Sequence, residues 1–421
     1  MRILWLNAGL LLPLDKGGKL RTWHLMRHLA GRHHITYCSY ADPAQSPADL
    51  DGMRQVCAEL VTIPRNDAPK NSIRFYAEAA AYLLNPQPYA VAKYRSRAYE
   101  HALERLLATG RFDLIVCDFL PPLVNMPQRL PCPAVLFTHN VESEIWRRLA
   151  ETQTDPVRRM LFRVQWRRML RFERAALGRF DAVLAVSDAD RETFRRLFAS
   201  RLTPPIHVVP TGVDTSYFAP ADPSAALPHH LVFTGSMDWS PNEDGMVYFC
   251  REIFPRIRHI EPDATLAIVG RSPTPAVQKL AEHPGVQVSG RVDDVRPHLA
   301  RATVYVVPLR IGGGTRLKIF EAMAMGKAVV STTVGAEGLP LTPGREILIA
   351  DDPERFAGAA VQLLRDQDLR HSIESAARQL VLQHYDWAAV FGDLEAALVE
   401  SSTSRSSQSA FSIPYRGVTA P

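Results

Sequence analysis

Short, wholly apolar runs recur along this chain with amphipathic stretches between them, and the whole pattern occurs twice. The first set is RILWLNA, ITYCSY, VTIPR, DLIVCD, AVLFTHN and AVLAVS, with stretches such as LRTWHLMRHLA and YEHALERLLATG between several of them. A segment rich in Pro, Asp and small residues follows, HVVPTGVDTSYFAPADPSAALPHH. Then comes a second set: LVFTGS, TLAIVG, VQVSG, VYVVPL, AVVST and ILIA. A strand that is apolar on both sides needs cover on both faces, which helices between parallel strands supply. The pattern predicts an α/β protein of two doubly wound, Rossmann-like domains facing across a cleft. Their expected bounds are 1–212 and 213–384, with a helix over 385–400 returning to the N-terminal domain. Ligands of such sheets sit outside the carboxyl ends of the strands. The Ser-rich end, SSTSRSSQSAFSIPYRGVTAP (401–421), is expected to be disordered.

The 421 residues, 46% hydrophobic and 22% charged, suffice for two cores. The net charge of +5 suits contact with anions such as nucleotides, phosphates or anionic lipid, and a solvated basic surface is the alternative. Five scattered cysteines without a CxxC pair argue against a disulfide framework or a structural zinc site and for a reducing, cytoplasmic setting. MRILWLNAGLLLPL has roughly the shape of a signal peptide. Asn7 interrupts it, however, and DKGGKLR stands where a small-residue cleavage site belongs, so it reads as a buried first strand. No apolar run approaches the roughly 20 residues needed to cross a bilayer.

The densest chemistry lies in IGGGTRLKIFEAMAMG, from Ile311 to Gly326. It reads as strand VYVVPL, a glycine turn, then a helix closed by Gly326. Backbone N–H groups at a helix N-terminus attract an anion, and glycines let a phosphate come close. Arg316 and Lys318 put two cations in the first turn, where they are unfavourable unless an anion is bound. Glu321, further along, suits the vicinal hydroxyls of a ribose. Phosphate at Gly313, Gly314 and Thr315 with ribose at Glu321 describes a nucleoside diphosphate. A plain glycine-rich turn with an exposed ion pair is the other reading.

These residues resemble the C-terminal domain of GT-B glycosyltransferases of family 4, in which Glu, seven residues and Glu precede Ala-Met-Ala and a Gly. Glu321-Ala-Met-Ala-Met-Gly-Lys-Ala-Val-Val is similar to the second half of that motif. VVPTGVDTSYF from Val208 and VGAEGL from Val334 resemble two further family segments. Among family members, the chain looks most like sugar transferases of exopolysaccharide loci associated with the PEP-CTERM sorting system. Two departures stand out. The motif's first Glu falls at Gly313, so backbone amides of Gly313 and Gly314 would have to serve there. The family's Arg and Lys after the first strand of the second domain are missing from TGSMDWSPNEDG, which leaves Arg316 and Lys318 to supply that charge.

The resemblance implies a retaining, metal-independent glycosyltransferase. It would use a nucleotide diphosphate sugar as donor and a glycan or lipid-linked acceptor, with no cofactor and no nucleic acid partner. A nucleotide-sugar epimerase and a non-catalytic nucleotide-sugar-binding protein are the alternatives; a dinucleotide oxidoreductase is disfavoured because GxGxxG is absent. In the N-terminal half, Gly17 and Gly18 are read as a turn before a helix that lets a ligand approach the backbone. The resemblance places that turn at the donor diphosphate. His139, just past the strand AVLFT, matches a family His near the transferred sugar, and Glu142 is a weaker candidate for the acceptor. Ser187-x-x-Asp190 reads as a helix cap rather than a metal-binding pair. The Arg-rich VRRMLFRVQWRRMLRFERAALGRF, with Phe162, Trp166 and Met169 at helical spacing, is a candidate for peripheral contact with the inner face of an anionic membrane.

Overall fold

The computed structural model describes residues 1–14, 17–66, 72–73, 82, 85–198, 204–311 and 317–403. Two open sheets carry the fold. The first holds β1 (Arg2–Leu6), β2 (His34–Ala41), β3 (Glu59–Pro64), β4 (Leu114–Asp118), β5 (Ala134–Phe137), β6 (Ala182–Ala185) and β7 (Ile206–Val208), in the order β3-β2-β1-β4-β5-β6-β7. The second holds β8 (His230–Thr234), β9 (Thr265–Val269), β10 (Val286–Gly290), β11 (Val304–Val307), β12 (Ala328–Ser331) and β13 (Leu348–Ile349), in the order β10-β9-β8-β11-β12-β13. The strand pairings in both are parallel. Strand order reverses between β1 and β4 and again between β8 and β11, the switch points at which open α/β sheets bind ligands. The apolar runs read from the sequence became β1–β6 and β8–β13. The short, half-buried β7 escaped notice because three residues between prolines show no periodicity.

Burial on both faces explains the apolar strands. In β1, Leu4 and Leu6 pack into one layer with Ile115, Cys117 and Tyr99. Ile3 and Trp5 pack into the other with Leu25, Val116 and Phe137. The helices that concern the site are α1 (Gly17–Ala30), α2 (Glu142–Thr152), α3 (Pro156–Leu177), α4 (Asp188–Phe198), α5 (Ser240–Tyr248), α6 (Leu317–Ala324) and α7 (Trp387–Thr403).

Helix α7 packs on the first sheet's layer: Trp387, Val390, Leu394 and Leu398 join the cluster that contains Trp5 and Leu25. His24 of α1 stacks on Trp387 with ring centroids 4.9 Å apart. The chain passes so close to this ring at Gly212 that an added Cβ would stand 2.6 Å from it, which explains the glycine in VVPTGVD. Helix α7 extends to Thr403, past the expected start of the disordered tail at 401, because Ser401 is buried and donates to the Ala397 carbonyl at 2.6 Å. Residues 404–421 lie outside the described residues.

In α3, Phe162, Trp166 and Met169 belong to the inner face, not to an exposed one. Met169 is fully buried, Trp166 is half-buried, and Phe162 meets Trp146 of α2 edge-on at 6.0 Å. Among the described residues, no helix is long and apolar enough to cross a membrane.

Candidate active site

The carboxyl ends of β1, β4 and β5 converge on one buried carboxylate, Asp118. Its Oδ2 accepts from Trp5 Nε1 (3.0 Å), Asn7 Nδ2 (2.7 Å) and Thr22 Oγ1 (2.8 Å). Its Oδ1 is 2.8 Å from His139 Nε2. The other imidazole nitrogen, Nδ1, lies 3.4 Å from Nη1 of Arg21, which can only donate. The ring therefore donates from Nε2 to Asp118 and keeps Nδ1 as an acceptor. Phe119 and Phe137 meet the imidazole edge-on at 5.5 and 5.2 Å. Phe119 does so from a left-handed backbone (φ 71°), a conformation that costs a bulky residue free energy and that clusters at functional sites.

Arg21, on α1, is fully buried and lies over the Phe137 ring at 4.2 Å. It donates to the carbonyls of Thr138 (2.6 Å) and Val209 (2.5 Å), so it ties β5's end to the segment leading into the second domain. Burial pulls its pKa down to about 9, against the pull of Asp118 and Asp190. Gly18 stands against the His139 ring: a Cβ there would lie 3.7 Å from the ring atoms. Gly17 has open space around its Cα. Both are first-turn residues of α1 rather than a turn preceding it.

In the second domain the loop after β8 and the start of α6 build a cationic seat. Lys318 Nζ donates to Asn242 Oδ1 at 2.9 Å and lies 4.1 Å from the centroid of the Phe233 ring. Asn242, buried on α5, donates in turn to the Ser236 carbonyl at 2.8 Å. Lys318 thus reaches back to the end of β8, where the sequence lacks a cation of its own. A Cβ on Gly235 would sit 2.8 Å from its ammonium. Arg271, just past β9, donates from Nε to Ser236 Oγ at 2.9 Å and adds a second cation there. Gly270 allows this approach, since a Cβ on it would collide with the Gly235 carbonyl at 1.7 Å.

Glu321 lies one turn beyond Lys318. It is half-buried, and burial pushes its pKa up to about 7 although Lys318 pulls it down. Helix α6 ends as read from the sequence: Gly326 is left-handed (φ 67°), with its N–H on Met323 O and the Lys327 N–H on Ala322 O. Gly313, Gly314, Thr315 and Arg316 lie outside the described residues.

The two domains meet beside His139. A cavity of about 340 Å³ opens among Asn140, Val141, Arg148, Asp190, Glu337 and Gly338. Arg148 of α2 grips Glu337, on the loop after β12, with both terminal nitrogens, one of them at 2.5 Å. Gly338, left-handed at φ 80°, lies against Ser187. Ser187 caps α4 through the Asp190 N–H at 3.1 Å. Burial and then Glu337 push the Asp190 carboxyl up to about 6, opposed by Arg21 and Arg148. Glu142, raised to about 7 by burial, heads α2 beside Glu173.

Of the residues singled out from the sequence, the structure brings His139 and Gly18 together and sets Lys318 and Glu321 on one helix; Asp118, Arg21, Arg271 and the Arg148–Glu337 pair are not among those singled out. Only two signals for these are visible in the sequence. One is the acid closing the apolar run DLIVCD; the other is the Gly-Arg step after TLAIV.

Two doubly wound parallel sheets with a cleft between them are the GT-B fold. Residues 16–217 match the family model described as Glycosyltransferase Family 4, and residues 228–366 match the one described as Glycosyl transferases group 1. The chain is thus built of two glycosyltransferase family domains. It is 31% identical over 193 residues to the phosphatidyl-myo-inositol mannosyltransferase of Mycolicibacterium smegmatis, covering 43% of this chain and 48% of that one. The chain thus spans about half the length of this curated relative. Its fold is similar to that of Anabaena HepE in complex with UDP (TM-score 0.67, 15% identity, 95% of this chain and 100% of that one). It is also similar to the sucrose-phosphate synthase of Thermosynechococcus elongatus (TM-score 0.69, 19% identity, 95% and 100%).

Proposed function

We propose that the protein is a retaining, metal-independent glycosyltransferase. It moves a hexosyl unit from a nucleotide diphosphate sugar to a hydroxyl of a glycan or lipid-linked acceptor, in exopolysaccharide synthesis at the inner face of the cytoplasmic membrane. The observation that carries the reading is the ammonium of Lys318, held at the end of β8 by Asn242 beside the close-packed Gly235 and Gly270. Leaving-group charge on a diphosphate is what the protein must stabilise, and fixed cations do so without reorganising. HepE, a fold neighbour, binds UDP, in keeping with a uridine nucleotide as one donor to test.

On the facing domain His139 borders the sugar. Asp118 fixes its tautomer, so Nδ1 remains the acceptor for a sugar hydroxyl, shared with the longer contact to Arg21. Gly18 leaves the ring face uncovered. The sugar departs and the acceptor attacks on the same face, with the acceptor hydroxyl arriving from the cavity at Asn140 and Asp190.

The test is incubation with a panel of UDP- and GDP-sugars, with and without acceptor, in EDTA. Acceptor-dependent release of nucleoside diphosphate supports the reading. A new sugar on the nucleotide indicates an epimerase, and binding without turnover indicates a sensor. His139→Ala is expected to lower turnover and sugar-nucleotide affinity while leaving nucleoside diphosphate affinity nearly intact. If both affinities fall together, or neither affinity nor turnover changes, His139 is not at the sugar.

A further inference from the structure

The solvent face of α3 has a composition the reaction does not use. Met160, Arg163, Arg167, Arg171 and Arg174 follow one another at intervals of three and four, so they line one side of the helix. All five are exposed. Among the described residues, Arg158, Arg163, Arg167, Arg171 and Arg174 make no ion pair. The only acid on the helix, Glu173, is buried on the opposite side. Neighbouring acids are engaged elsewhere: Glu144 and Glu151 hold Arg147, and Asp155 caps α3 through the Arg158 N–H. Arg174 reaches the Leu197 carbonyl of α4, so exposed Arg195 and Arg196 near the end of that helix extend the basic surface. At the N-terminal end of the stripe three large apolar side chains stand in solvent: Val157 at 68% exposure, Met160 at 69% and Leu161 at 42%.

We propose that this face of α3 docks the protein on an anionic lipid bilayer, with the arginines at the headgroups and Val157, Met160 and Leu161 entering the acyl boundary. The proposal rests on the reading of a membrane-held acceptor and names the surface that would bring the cleft to it. Unpaired arginines are attracted by any polyanion. The aliphatic tip decides between partners. Three side chains without aromatic stacking or hydrogen-bonding capacity gain nothing on a phosphate backbone, whereas burial in lipid removes their apolar surface from water. Position fits as well. Glu173, near the C-terminal end of α3, accepts the N–H groups of Glu142 and Ser143 at the start of α2, so the two helices run antiparallel. The apolar tip therefore lies about one length of α2 from the cavity, roughly 16 Å at 1.5 Å per residue, which is within reach of an acceptor anchored in the same bilayer.

The test is flotation of the full chain with vesicles of phosphatidylcholine alone or mixed with phosphatidylglycerol, at rising ionic strength. Binding only to the anionic vesicles, weakening with salt, is expected. Replacing Arg163, Arg167, Arg171 and Arg174 together by Gln should reduce it by about fivefold per arginine, hence several hundredfold in all. Met160→Ser with Leu161→Ser should abolish the fraction that survives high salt. Both variants should melt like the parent and transfer sugar to a water-soluble acceptor at the parent rate. Equal binding to neutral vesicles, parent-like binding by the four-Gln variant, or tighter binding to a DNA duplex than to the vesicles overturns the proposal. Vesicle binding without transfer from any nucleotide sugar instead removes the catalytic reading and leaves the docking face standing.

Discussion

Asp118 is the residue on which the N-terminal half of the site depends, because four donors from three separate segments end on one buried carboxylate. Asp118→Asn turns one acceptor oxygen into a donor and leaves at least one of these groups unpaired. An unsatisfied buried donor costs about 1–3 kcal/mol, so urea unfolding should show a loss of that size, with a larger fractional loss in turnover as His139 loses its fixed tautomer. Unchanged turnover would separate the dyad from the chemistry. No motif announced this constellation: Trp5 and Thr22 lie 113 and 96 positions from Asp118. His139 and Lys318 were legible because each sits at a strand end or helix start with a local pattern around it. Glu321 yields a pH prediction. Burial raises its carboxyl to about 7, so the ionised form that a ribose would meet becomes dominant only as pH rises through that value. If only this form binds, the competent fraction grows from about 0.1 at pH 6 to about 0.9 at pH 8, and affinity for a nucleotide sugar should rise about ninefold. The pyrophosphate diester of such a ligand does not titrate in this window, so isothermal titration reads the protein alone. Glu321→Gln should flatten the profile, and an unaltered profile in that variant would remove Glu321 from the ribose.

At the scale of elements, the junction of α2 and α3 positions the cleft-facing loop. Helix α2 starts three residues after His139 and has no cap of its own: Val141 precedes it without a side-chain hydrogen bond. Its first N–H groups go instead to Glu173, at 2.7 and 3.0 Å. Burial pushes this carboxyl up to about 8. A carboxyl raised in the fold is protonated there while ionised in the unfolded chain, so stability falls as pH rises from about 4.5 toward 8. Glu173→Ala should orphan both N–H groups and cost about 1–3 kcal/mol in chemical denaturation. Glu173→Gln, which keeps an acceptor, should recover much of that cost and reduce the pH slope of stability between pH 5 and 8. Equal stability of the Ala variant would show that water replaces the cap. The strands other than β7, the Gly326 stop and the Ser187 cap were readable, because each is a local choice the chain makes within a few residues. The orientation of α3 was not. Residues 162, 166 and 169 and residues 160, 163, 167, 171 and 174 all keep helical spacing, and only packing against Trp146 shows which side is core.

The whole molecule joins its halves through few groups. Helix α7 ties the end of the chain to the first sheet, and Arg21 holds the Val209 carbonyl just before the crossover. Across the cleft itself, the Arg148–Glu337 pair is the ion pair found between the two domains among the described residues. It borders the cavity and belongs to the same helix whose first turn follows His139, so opening the domains and displacing that helix are coupled movements. The side chains are 26% and 39% exposed. A pair this accessible is worth about 0.2–1 kcal/mol, which shifts a closed-to-open ratio by up to about fivefold. Arg148→Glu or Glu337→Arg alone places like charges face to face. Either should raise the radius of gyration in small-angle scattering and increase the donor KM about two- to fivefold, with kcat less affected. High salt should mimic the single changes in the parent protein, since screening acts on the same pair. Combining Arg148→Glu with Glu337→Arg restores opposite charges and should return both the scattering profile and KM toward the parent. If the combined variant behaves as the sum of the two single ones, the pair does not govern closure, and the position of α2 is set by Glu173 and packing alone.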